Sequence, residues 1–95
     1  MEKIVNINGK NYVLEKNENE GFNQEEVNNK ITEFYDVYDY IVGDWAYGKL
    51  RLKGFYNENN KKARDYNSIK YLEKYLNEYC AYGCKYFILK RVYKK

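Results

Sequence analysis

Tyr40-Ile41-Val42-Gly43-Asp44-Trp45-Ala46-Tyr47-Gly48-Lys49-Leu50-Arg51-Leu52-Lys53-Gly54-Phe55 carries the clearest structural signal in this chain of 95 residues. Tyr40 to Trp45 reads as a short apolar strand, Tyr47-Gly48 as a turn, and Lys49 to Tyr56 as the hairpin partner. Successive side chains of a strand face opposite sides of a sheet, so Leu50 and Leu52 point one way while Lys49, Arg51 and Lys53 point the other. Gly54 falls on the leucine side, where a missing side chain makes room for a helix or marks a bulge.

Before this hairpin, Asn23 followed three residues later by Glu26 has the form of a helix amino-terminal cap with an acidic first turn. Val27, Ile31, Phe34 and Tyr38 are spaced by four, three and four, which places them on one face of a helix ending near Asp39. Glu25, Glu26 and Glu33 belong to its wet side. The polar stretch Lys16 to Gly21 reads as a loop. Lys3 to Ile7 and Asn11 to Leu14 flank Asn8-Gly9, a dipeptide suited to a type I′ turn, and form an opening hairpin.

After the central hairpin, Asn57 to Tyr66 is polar and reads as an exposed loop. Ser68 is placed to cap a second helix whose buried stripe is Ile69, Leu72, Leu76, Tyr79 and Cys80, with Gly83 ending it in the left-handed conformation. Tyr86 to Val92 is β-rich with apolar residues on both parities, the pattern of a central strand covered on both sides. The order is β-β-α-β-β-α-β. It predicts an α+β class with about five strands in one mixed or antiparallel sheet and two helices on one face, over residues 1–95 as a single domain.

A chain of this length buries roughly two thirds of the surface it exposes when unfolded. The hydrophobic share of 44% includes 13 tyrosines, so the core is expected to be aromatic and partly polar. Residues 1–44 carry 4 basic and 10 acidic groups, a net of −6, while residues 45–95 carry 13 and 4, a net of +9. Such a division means either a strong dipole or two compensating surfaces. No apolar run is long enough for a membrane helix and Met1-Glu2-Lys3-Ile4 lacks the pattern of a signal peptide, so the expected location is the cytoplasm, with no membrane partner. Cys80 and Cys84 are too few for a disulfide framework and are expected to stay thiols.

Two segments bear a family resemblance. Tyr38-Asp39-Tyr40-Ile41-Val42-Gly43-Asp44-Trp45-Ala46-Tyr47-Gly48 with Lys49-Leu50-Arg51-Leu52-Lys53-Gly54-Phe55 is the more specific; Tyr75-Leu76-Asn77-Glu78-Tyr79-Cys80-Ala81-Tyr82-Gly83-Cys84 with Lys85-Tyr86-Phe87-Ile88-Leu89 is the second. Both resemble the YutD-like family, over nearly the whole chain. Ala46 stands where that family is expected to have glycine, which affects only the turn. The resemblance implies a compact cytosolic protein of Gram-positive bacteria and brings no catalytic residue with it.

The densest constellation is Asp44, Trp45 and Tyr47 with the cations Lys49, Arg51 and Lys53 and the ring of Phe55. Cations on a sheet face neutralise phosphates and aromatic rings stack unpaired bases, so this set, with the basic loop Lys61, Lys62 and Arg64, is the candidate binding surface for RNA or a ribonucleoprotein, a reading that the basic tail Lys90, Arg91, Lys94 and Lys95 supports. The alternative for the same residues is an ordinary solvated strand with Trp45 as a core anchor. A module that binds another protein is the second functional reading, because tyrosine and tryptophan favour interfaces. A small enzyme acting on an anionic substrate, with Asp39, Asp44 or Glu78 as acid or base, is the third. Histidine is absent, and no P-loop, dinucleotide or nucleophile-elbow motif is found, so no catalytic residue is assigned. Two cysteines without histidine do not make a zinc site, and neither a metal nor a cofactor is implied.

Overall fold

The computed structural model describes residues 3–79 and 84–92. Five strands form one antiparallel sheet: β1 (Lys3–Ile7), β2 (Lys10–Glu18), β3 (Tyr40–Ala46), β4 (Lys49–Phe55) and β5 (Tyr86–Arg91). Two α-helices, α1 (Gln24–Lys30) and α2 (Leu72–Tyr79), complete the order β-β-α-β-β-α-β. The α+β class is as the sequence predicts. The strands lie side by side as β1-β2-β5-β3-β4, so β5 takes the central place that its apolar residues on both parities require.

Asn8 and Gly9 close the first hairpin with φ of 52° and 86°, the left-handed pair that a type I′ turn needs. β2 continues to Glu18 although Lys16 to Gly21 reads as a loop. Its polar second half is held by pairing with β5, Lys16 opposite Ile88 and Glu18 opposite Tyr86, after a register shift between Leu14 and Lys16. Such long-range pairing leaves no local signal in the sequence.

Register fixes which residues share a face. Ile41 and Gly43 lie opposite Leu89 and Phe87 on β5, and Ile41, Gly43 and Trp45 lie opposite Gly54, Leu52 and Leu50 on β4. With Val5, Ile7 and Tyr12 they form the front face, onto which α1 lowers Val27 and Ile31; this is the main core. The cap expected at Asn23 is present, its side chain accepting from the Glu26 amide at 3.0 Å.

α1 nevertheless ends early. Ile31 has left helical geometry at φ −71° and ψ 131°, and Thr32 starts a separate 3-10 turn, Glu33–Val37, by accepting from the Phe34 amide. Asn8 reaches across from the first hairpin and donates to the carbonyls of Asn28 and Ile31, satisfying groups that a helix end leaves unpaired. Val27 and Ile31 therefore enter the core as their spacing predicts, whereas Phe34 and Tyr38 do not continue the same stripe.

Nor do both helices pack on one face. Phe55 lies opposite Tyr40, on the reverse side of the sheet from Leu50 and Leu52. It is fully buried there against Tyr75 of α2, with ring centroids 5.7 Å apart. α1 thus packs on the front and α2 on the back. Ser68 caps the 3-10 turn Ile69–Tyr71 that leads into α2 rather than α2 itself. Cys84 is disulfide-bonded, not the thiol that a reducing compartment leads one to expect, because compartment says nothing of which side chains the fold brings together. Cys80, Gly83, Lys94 and Lys95 lie outside the described residues, as does the side chain of Tyr79. No helix among the described residues is long and apolar enough to cross a membrane.

Candidate functional site

The hairpin set is divided by the sheet it helps to build. Asp44 lies on the back face, 1% exposed, and accepts from Arg51 directly across the strand pair: Nε to Oδ1 at 3.0 Å and Nη2 to Oδ2 at 2.8 Å. This two-pronged bond neutralises the buried carboxylate and is the first cause of the upward shift in the Arg51 pKa. Lys53 lies over two rings, its Nζ 5.3 Å from the centre of Phe55 and 5.9 Å from that of Tyr75. Phe55 is interior. Trp45 faces front, half-buried against the core, and its indole donates to the Gly21 carbonyl at 2.7 Å.

Tyr47 and Lys49 are exposed at the hairpin tip. Tyr47 is 103% exposed and holds φ at 53°, a left-handed conformation that a bulky side chain rarely adopts. Lys61, Lys62 and Arg64 follow the far end of β4, so roughly 20 Å of strand separates them from Tyr47. The Arg64 guanidinium donates to the carbonyls of Lys61 and Ala63, fastening its own loop. The ten residues do not form one surface. Asp39 also has a structural place: Oδ2 accepts from the Asn57 amide at 2.7 Å and from the Asn60 side chain at 3.1 Å, fixing the chain as it leaves β4.

A second surface emerges where α1 breaks. The 3-10 turn turns Phe34 and Val37 outward, 66% and 50% exposed. Phe34 meets Tyr35 and Tyr38 at ring distances of 5.2 and 5.8 Å, and Tyr38 meets Tyr56 at 4.9 Å. Tyr38 lies against Gly54, where a Cβ would enter its ring, as the bare leucine-side position suggested. Desolvation first, then the phenols of Tyr56, Tyr35 and Tyr66, pushes the Tyr38 pKa up; Tyr66 itself is 64% exposed and lines a surface pocket with Lys53, Tyr71 and Tyr75. Phe34, Val37 and the half-buried Tyr38 thus form a ridge along the 3-10 turn, with Glu33 exposed beside it. Sequence reasoning placed Phe34 and Tyr38 on a buried stripe. The usable signal was Thr32, a capping residue standing inside an otherwise continuous helical pattern.

Fold and ridge together define a small α+β sheet protein, one helix on each face, with exposed aromatic residues along one side. Residues 6–90 match the family described as "Putative antitoxin YutD-like", and the chain belongs to that family. It is 44% identical over 91 residues to "Putative antitoxin YutD" of Bacillus subtilis (strain 168), covering 96% of this chain and 100% of that protein. The solution NMR structure of protein yutD from B. subtilis superposes with a TM-score of 0.80 at 43% identity, covering 97% of this chain and 84% of that one.

Proposed function

We propose that this protein is a protein-binding module of antitoxin type, one that holds a partner protein through the Phe34, Val37 and Tyr38 ridge. The observation that carries this reading is the ridge itself, where Phe34 and Val37 stand exposed against the half-buried ring of Tyr38, since apolar and aromatic side chains grouped at a surface are the composition of interface hot spots. The family description, "Putative antitoxin YutD-like", supports a protein partner. The RNA reading loses its main support: Arg51 is engaged by Asp44, Lys53 lies over two rings, and the basic loop is at the other end of β4 from the exposed tyrosine.

The test is recovery of the tagged protein from its own cells, with and without RNase, beside a Phe34→Ser, Val37→Ser variant. Proteins that stay bound after RNase and are lost from the variant are the expected result. Partners that RNase removes, or that the double variant keeps, would overturn the reading. Both side chains are at least half exposed, so the variant should unfold within about 0.5 kcal/mol of the parent.

A further inference from the structure

The back face of the sheet is covered unevenly. α2 shields Phe55 at the β4 side, but towards β1 the described residues place no helix over it. Register sets one row across the strands, Ile4 opposite Val13, Val13 opposite Lys90, Lys90 opposite Tyr40 and Tyr40 opposite Phe55. Ile88 stands in the next row, opposite Lys16 on one side and Val42 on the other. Ile4 is 63% exposed, and Val13, Ile88 and Tyr40 are half-buried. Lys90 is exposed with its Nζ 5.9 Å from the centre of the Tyr40 ring.

We infer that this open half of the back face is a second docking surface, one that takes an acidic amphipathic helix of a partner protein. Its apolar side chains match the apolar stripe of such a helix, and the exposed Lys90 supplies charge for carboxylates beside that stripe. Lys16 is already paired with Glu18 at 3.4 Å, so β2 contributes a neutralised rim, and Lys90 carries the charge selection. Four strands from β1 to β3 span about 15 Å, the length of roughly ten helical residues, so three helical turns fill the row. This surface is separate from the ridge and stands whether or not the ridge binds.

The experiment follows methyl NMR signals during titration with a synthetic amphipathic peptide bearing leucines on one face and glutamates beside them. A lysine-for-glutamate peptide and a uridine oligonucleotide serve as comparisons. The acidic peptide should move the methyls of Ile4, Val13 and Ile88 and leave Val37 unmoved. Lys90→Glu should weaken it about tenfold, Lys90→Gln less, and Phe34→Ser not at all. Equal binding by the lysine peptide, shifts centred on Val37, or movement of the same methyls by the oligonucleotide alone would overturn the inference. The melting temperatures of both Lys90 variants should match the parent, which separates lost contact from lost fold.

Discussion

Arg51 and Asp44 face each other across β4 and β3, yet their surroundings differ: the Asp44 side chain is 1% exposed and that of Arg51 42%. Arg51→Gln strands a buried carboxylate and should cost about 3 kcal/mol, whereas Asp44→Asn leaves a cation that water can reach and should cost about 1. Urea unfolding measures both, and equal losses would show that Asp44 has other means of neutralisation. Gly43→Ala should also be costly. Its Cβ would enter the ring of Phe87, which is fully buried and cannot retreat, so about 2 kcal/mol should be lost. Tyr47→Asn should do the opposite, gaining about 1 kcal/mol by relieving the left-handed backbone at φ 53° without removing buried area. Gly54 was legible as a place of close approach because its neighbours on the strand alternate. The place of Trp45 was not, because the Gly21 carbonyl that receives its indole N–H is 24 residues away.

At the level of elements, periodicity identified both helical stripes but not where they end or what they cover. The spacing from Val27 to Tyr38 runs through Ile31 and Thr32 unbroken, and only the cap at Thr32, together with Asn8 at the helix end, breaks it. Helix α2 shows a different limit. Its apolar side was readable, but a stripe does not name its receiving face, and Phe55 lies on the same side of β4 as three cations. An eight-residue helix is not stable by itself, so α2 depends on this docking. Tyr75→Ala should speed amide exchange across residues 72–79 while leaving β3 and β5 protected, as hydrogen exchange can show. Uniform acceleration would mean that α2 is part of the global unfolding unit.

For the molecule as a whole, the unequal charge of the two halves persists in the fold. Lys10 pairs with Asp36 and Lys16 with Glu18 inside the acidic half, Lys70 with Glu58 inside the basic half, and Asp44 with Arg51 joins the two. Composition carries the imbalance, whereas which charges pair depends on strand register and loop closure. The tyrosines set a response to alkali. Burial is the leading cause that raises the pKa of Tyr12, Tyr35 and Tyr38 above the ordinary phenol value, so each ionises more readily in the unfolded chain. Their contribution is complete below about pH 10 and is lost as pH climbs from there through the folded-state values. Melting temperature should therefore be level near neutrality and fall above about pH 10, with Tyr12→Phe flattening that fall. An unchanged alkaline slope in Tyr12→Phe would assign the effect to Tyr35 and Tyr38.

The central position of β5 bears on synthesis. Every other element precedes it in the chain, yet it separates β2 from β3 and pairs with both. Until β5 has cleared the ribosome, the growing polypeptide holds two unconnected hairpins, each with an unpaired inner edge. Joining them closes long loops at once, a slow step during which the unpaired edges are open to mispairing. A partner that requires the finished sheet meets it only after translation has passed β5.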